Sequence, residues 1–353
     1  MNKVKSSCLY LFFLVFSAQS LSAENRPPVS QNRVSLMSYN LENLFDWEHD
    51  KDKNDLTYLP LDQKQNAAQR YLCGQIRRKK WRTQCLEFDW SEKNARVKMQ
   101  RLASVVMSVN DGRGPDILIL QEIENLNILN IFKKEYLAKA NYQTAVLIEG
   151  RDKRGIDVAL LSRLQQGGEA QNHYVPFKKI KDKQLKDTRP ILEVPLLLPG
   201  GKKLHVFGVH FPAPYHPWQL RRQAFKHLNG LIAELPDTSM AVAGGDFNVP
   251  ADEEEARELF KKTAGKQWQV AFYEGCGTCI GTYYYPPLKQ WSFLDSLIFR
   301  KDQKSGWFLD PQSIKVIKSK KQIDNQGFPR SYDPGNDAGI SDHLPIYAEI
   351  ATK

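Results

Sequence analysis

Short apolar runs alternate with charged segments along this chain, and the period of each run predicts its element. Val34–Asn40 alternates as a strand, and its end presents Asn40 and, two residues later, Glu42. Ala95, Val97, Met99, Leu102, Val105, Val106 and Val109 recur among basic residues, which predicts an amphipathic helix over Glu92–Val109. Gly114-Pro115 breaks it, and Asp116–Glu122 follows as a buried strand ending on a carboxylate. Residues 126–138 look helical, and strands Thr144–Glu149 and Ile156–Ser162 flank the loop Gly150–Gly155. Pro199-Gly200-Gly201 turns strand Ile191–Leu198 into strand Leu204–His210. A helix over Trp218–Leu235, a strand over Met240–Asp246 and a charged helix over Asp252–Lys262 come next. Strands Phe293–Arg300, Ile314–Lys318 and Leu344–Ile350 complete the pattern. Strands outnumber helices and are often joined by hairpin-length turns. That predicts packed sheets covered by helices, not a doubly wound parallel sheet.

Residues 1–23 stand outside this pattern. Lys3 and Lys5, the apolar Leu9–Phe16 and the small-residue Ser20–Ala23 are the three parts of a secretory signal peptide, too short to span a membrane; an uncleaved anchor is the alternative. Residues 24–32 read as a flexible leader, and 33–353 as one domain carrying a highly charged insertion at about 46–91. The mature protein is then expected to be secreted or periplasmic, monomeric and without stable membrane association. Export changes how the cysteines are read. Cys73, Cys85, Cys276 and Cys279 remain, which in an oxidising compartment predicts the disulfides Cys73–Cys85 and Cys276–Cys279; a shared zinc site is the rival reading. Losing Lys3 and Lys5 lowers the net charge from +10 to +8, still basic enough to favour a polyanion. Arg77, Arg78, Lys79 and Lys80 in the insertion, and Arg151, Lys153 and Arg154 in the 150–155 loop, are the candidate phosphate contacts.

The chemistry collects where apolar runs end. Asn40 with Glu42, Glu122, His210, Asp246 with Asn248, Asp295 and the pair Asp342-His343 all occupy such positions. In Met240–Pro250, Asp246 and Asn248 are expected to project side by side, with Gly244 and Gly245 clearing room for a ligand. Buried carboxylates need a partner, and an all-oxygen set suits Mg²⁺, Mn²⁺ or Ca²⁺. His210 and His343 suit acid–base work near neutral pH. Metal and histidine together are what phosphoester hydrolysis requires.

SYNLEN (Ser38–Asn43), LQEIEN (Leu120–Asn125), DTRPILEVPL (Asp187–Leu196), FGVHFPAP (Phe207–Pro214), GGDFNVP (Gly244–Pro250), WSFLDSLIF (Trp291–Phe299) and ISDHLPI (Ile340–Ile346) occur in this order. In these segments the chain resembles the endonuclease/exonuclease/phosphatase superfamily, deoxyribonuclease I type. The resemblance implies an α/β, four-layer α-β-β-α sandwich of two face-to-face mixed sheets. It implies Glu122 as the principal metal ligand, supported by Asn40 and Glu42, with Asp342 at the metal or phosphate. His343 with Asp295 would form an imidazole–carboxylate pair, and His210 would be the second imidazole, with Asp157 as the candidate carboxylate behind it. Asp246 and Asn248 would orient water and phosphate, and Arg189 would bind phosphate. The first expectation is therefore an exported, divalent-metal-dependent nuclease, an endonuclease on DNA with little sequence preference, RNA being the other nucleic-acid partner. A phospholipid (sphingomyelinase-like) or small-phosphoester phosphodiesterase is the second, with Tyr283–Pro287 as its membrane-facing segment. A non-catalytic nucleic-acid-binding module is the third.

Overall fold

In the computed structural model, which describes residues 29–352, β1 (Arg33–Leu44) shows how the alternation becomes layers. Val34 and Leu36 join a core between two sheets, whereas Met37, Tyr39 and Leu41 join a second core beneath helices. The strands continue as β2 (Ile117–Ile123), β3 (Thr144–Leu147), β4 (Asp157–Ser162), β5 (Gln171–His173), β6 (Ile191–Leu197) and β7 (Lys203–His210). They end with β8 (Met240–Asp246), β9 (Trp268–Val270), β10 (Tyr283–Tyr285), β11 (Gln290–Ser292), β12 (Asp295–Arg300), β13 (Trp307–Val316) and β14 (Ile346–Thr352). One six-stranded sheet has the order β13-β14-β1-β2-β4-β3 and the other β5-β6-β7-β8-β12-β9, each mixing parallel and antiparallel pairs.

The helices are α1 (Ala67–Gly74), α2 (Lys79–Glu87), α3 (Glu92–Val106), α4 (Leu126–Ile131), α5 (Asp182–Leu185), α6 (Trp218–Ala233), α7 (Ala251–Arg257) and α8 (Ala271–Glu274). Ala95, Met99 and Leu102 of α3 cover the first sheet, and Ala224, Phe225 and Leu228 of α6 cover the second. The result is the expected α-β-β-α sandwich. Gly244 serves its inner packing, not a ligand: a Cβ there would lie 2.6 Å from Ile119 Cδ1 of the facing sheet. Gly245 likewise faces backbone, with Val209 O at 1.9 Å from an added Cβ.

Several elements differ from the sequence expectation. The charged helix stops at Arg257 because Glu258 turns left-handed (φ 51°), and a π-helical turn over Leu259–Ala264 completes it. β13 begins at Trp307, earlier than Ile314, and a register shift between Asp310 and Lys315 hides its period. The three-residue β5, β9, β10 and β11 are too short to show any period. Within the insertion, the Cys73–Cys85 disulfide joins α1 to α2 across a Cα–Cα distance of 5.5 Å. Tyr58 stacks on Phe45 at 4.1 Å and meets Trp90 edge-on at 5.4 Å, tying the insertion to the end of β1. Cys276–Cys279 is the second disulfide. The signal peptide and residues 24–28 of the leader lie outside the described residues. Asn32 at the leader's other end accepts a hydrogen bond from Thr352 N at 3.0 Å. Among the described residues no helix is long and apolar enough to cross a membrane.

Candidate active site

Backbone irregularities aim the side chains. Glu42 (φ 53°) and Glu122 (φ 61°) both adopt left-handed conformations at register shifts, in β1 between Asn40 and Leu44 and in β2 between Gln121 and Ile123. Such bulges re-aim a side chain at the rim of a sheet, and non-glycine residues hold them at a cost. β7 and β8 are parallel with His210 opposite Asp246, and β8 and β12 are antiparallel with Asp246 opposite Asp295. Three candidate side chains are thus set in one row across the second sheet.

Across the two sheets the groups converge. His210 Nε2 lies 3.7 Å from Glu122 Oε1 and 3.6 Å from Asp246 Oδ2. Asn40 spends its amide inside the site, donating to Asp246 Oδ2 at 3.2 Å and accepting from Glu42 N at 3.0 Å. Asp246 Oδ1 accepts from Asn248 N at 2.8 Å, an Asx turn, while Asn248 Nδ2 donates to Phe211 O at 3.1 Å. His343 Nδ1 and Asp295 Oδ2 are 2.7 Å apart, and Ser341 Oγ supports the turn by donating to Asn40 O at 2.8 Å. Glu42 Oε2 accepts from Tyr332 N and Asp342 N at 3.1 and 3.2 Å.

Charge divides the two histidines. Burial opposes a charge on His343, but Asp295 and Asp342 outweigh it and hold the imidazolium well above the ordinary histidine range. Burial, reinforced by the positive charges of Arg189 and Arg154, holds His210 well below that range. The two rings therefore differ in proton affinity, in opposite directions from the ordinary histidine range. Burial and Asp342 push Glu42 up to about 8, and burial and Asp295 push Asp246 up to about 8.

Glu122 makes no hydrogen bond, although its side chain is only 16% exposed. A carboxylate so placed costs desolvation free energy unless a cation meets it, and here several carboxylates share that need. The all-oxygen groups of Glu122, Glu42 and Asp342 therefore fit a hard divalent ion. Asp246, Asp295 and His343 also bring three potential ligand atoms within 4.8 Å of one another, the one such set among the described residues. Asp295 already holds His343 there, so that trio is an imidazole–carboxylate pair with Asp246 beside it.

Three neighbours escaped the sequence reading. Lys98 is buried and donates to Glu42 O at 2.5 Å, its own charge disfavoured by burial but supported by Glu42 and Asp342. Its signal was available: Lys98 falls on the inward stripe Ala95-Lys98-Leu102-Val105 of α3. Tyr58 and Tyr332 lie close enough to feel or bind the same carboxylates, but both sit in segments without a period.

The remaining candidates divide. Arg189 is buried against Asp152, with Nη1–Oδ2 at 2.8 Å, and its Nε lacks a partner. Arg154 pairs with Asp152 at 3.5 Å and feels Glu122, so it faces the cluster. Arg151 stacks on Tyr174 at 4.0 Å, and Lys153 is tied through its backbone to Asn54 and Lys186. Arg77, Arg78, Lys79 and Lys80 lie at the start of α2, which packs on α1 and residues 56–58.

Asp157 does not back His210. Its Oδ1 accepts from Gly150 N at 2.8 Å, and His210 Nδ1 has no hydrogen-bond partner. Burial pushes Asp157 up to about 7, so the folded state holds its proton more tightly than the unfolded chain. That advantage is full below the ordinary carboxylate pKa and is lost as pH rises toward 7. Asp157→Asn is therefore expected to melt higher than wild type at pH ~8, with the gap closing near pH ~4, and to keep turnover within about threefold. A hundredfold loss of turnover would return Asp157 to the acid–base set.

The model of the family described as "Endonuclease/Exonuclease/phosphatase family" matches residues 75–352. No curated protein matches the chain by sequence. Among solved structures, humanized D. rerio TDP2 superposes with a TM-score of 0.56 at 15% identity, covering 92% of this chain and 100% of that one. D. rerio TDP2 complexed with single-strand DNA product gives 0.53 at 17% identity, covering 91% and 99%. An endonuclease/exonuclease/phosphatase family protein from Bacteroides thetaiotaomicron gives 0.54 at 16% identity, covering 91% and 98%. At these identities the likeness carries the fold.

Proposed function

The chain belongs to the endonuclease/exonuclease/phosphatase family, and we propose that it is an exported, divalent-metal-dependent nuclease that hydrolyses phosphodiester bonds, with DNA as first substrate and little sequence preference. One observation carries this reading: two buried histidines of opposite proton affinity face the same group of carboxylates. Glu122, Glu42 and Asp342 would hold the ion, which supplies charge neutralisation to the phosphate when bound. Neutral His210, beside Glu122 and Asp246, accepts a proton at Nε2 from the attacking water. Asp246 orients that water and is itself held by Asn40 and Asn248. His343 donates from Nε2 to a phosphate or leaving oxygen, its Nδ1 proton resting on Asp295. Arg154 and Arg189 lend positive potential, and exposed Tyr215 beside them offers a face for an unstacked base. The TDP2 relative solved with single-strand DNA product supports nucleic acid as the ligand class. A paired-cysteine chain opened by a signal-like segment supports export.

A plasmid-nicking assay tests the reading. Cleavage is expected to stop with EDTA, to fall steeply with salt, and to drop ~10²–10⁴-fold in His210→Ala and in His343→Ala. The exposed Tyr285 and Leu288 on the β10–β11 hairpin favour the phospholipid alternative. Intact plasmid together with cleaved sphingomyelin micelles, in the same preparation, would replace the nuclease by that enzyme.

A further inference from the structure

A second group of carboxyls lies just past Glu122 and takes no part in the chemistry above. Asp46, Asp55 and Glu124 are buried and Asp50 is half-buried. Three of the four come from the loop that leaves β1, and Glu124 follows β2. The loop is wrapped onto the strand end by backbone donors: Asp46 N to Glu124 Oε2 at 2.8 Å and Asp50 N to Asp55 Oδ2 at 2.7 Å. Asn125 Nδ2 sits between Asp46 Oδ2 and Asp50 Oδ2, at 3.1 and 3.4 Å, and Asn127 Nδ2 also reaches Asp46 at 3.0 Å. Against four carboxyls, the one basic side chain within ion-pair distance among the described residues is His49, on Asp55 at 2.5 Å. Lys53 of the same loop turns to Glu149 instead, at 3.6 Å.

The independent observation is Glu124 itself. It is 2% exposed, its charged neighbours are Asp46, Asp50 and Asp55, and its Oε1 has no donor. A buried carboxylate oxygen with no donor, beside three other carboxyls, is a position for a cation.

We propose that Asp46, Asp50, Asp55 and Glu124 form a second divalent-cation site, of Ca²⁺ type, that fastens the 46–55 loop against the active-site strand end. Ca²⁺ suits it better than Mg²⁺ because these oxygens do not converge as tightly as an octahedron requires. Binding draws them together, so affinity belongs in the weak range of extracellular Ca²⁺ modules, ~0.1–1 mM. The loop also reaches the arginine segment, since Asn54 N donates to Lys153 O at 2.7 Å. The ion therefore holds together the segments that carry Glu122 and Arg154.

The mature chain, stripped with EGTA and titrated with Ca²⁺ alone, tests this without reference to activity. Wild type is expected to gain at least ~3 °C in melting temperature by ~10 mM Ca²⁺. Glu122→Gln, altered only in the active site, is expected to keep that gain. Asp50→Asn, at a half-buried position with a single long side-chain bond, should fold and weaken the response at least tenfold, and Glu124→Gln should behave alike. No gain in wild type overturns the site. So does an unchanged response in Asp50→Asn, or a response lost in Glu122→Gln, which would place all the Ca²⁺ at the active centre.

Discussion

Glu122→Gln is expected to leave a folded protein whose phosphodiester turnover falls at least ~10³-fold. The substitution keeps the shape of the side chain and the left-handed backbone at φ 61°, so the β2 bulge survives. It removes a carboxylate that no hydrogen bond holds and that is less exposed than Asp342, at 16% against 37%. Stability should not suffer. Asp342 and Asp246 are pushed up by burial and, further, by Glu122, so deleting that charge relieves both. Melting temperature in EDTA is expected to match or exceed wild type, while metal affinity at the active centre is lost. Turnover within tenfold of wild type would move the principal ligand role elsewhere, with Asp246 first in line.

Gly245→Ala carries the largest expected loss of stability, at least ~4 kcal/mol by urea unfolding. Gly245 has φ 154°, which disfavours a side chain, and the added Cβ would fall 1.9 Å from Val209 O on the neighbouring strand. Backbone cannot yield there without separating β7 from β8 where His210 pairs with Asp246. Gly200→Ala is the control. Its φ of 85° is also glycine-favouring, but nothing lies within 4 Å, so it should cost only about 1 kcal/mol. Equal costs at the two positions would show that conformation, not the clash, governs Gly245.

Much of the site was legible because its residues follow buried strands. Glu122 near the end of β2, His210 ending β7 and Asp246 ending β8 follow from the hydrophobic pattern alone, whereas Asp295, expected inside a strand from Phe293, opens β12. The resemblance then supplied roles. The errors have physical causes. Asp157 opens β4 in the first sheet and caps Gly150 N, whereas His210 ends β7 in the second, and a sequence does not say which carboxylate a distant imidazole meets. The glycines before Asp246 looked like space for a ligand, yet they admit Ile119 of the opposite sheet and the backbone of β7.

By itself the sequence determined the layered α/β class, the long strands and helices, the cysteine pairs and the chemical inventory of the site. These depend on periods of two and 3.6 residues and on side-chain identity, which are local properties. The tertiary structure alone decided that His210 is neutral and His343 charged, that Lys98 lies beneath Glu42, and that Glu122 and Glu124 are left with unpaired oxygens. Proton affinity and hydrogen-bond satisfaction depend on which distant groups burial brings together. Two histidines of identical chemistry acquire opposite roles only when one is packed beside arginines and the other beside aspartates.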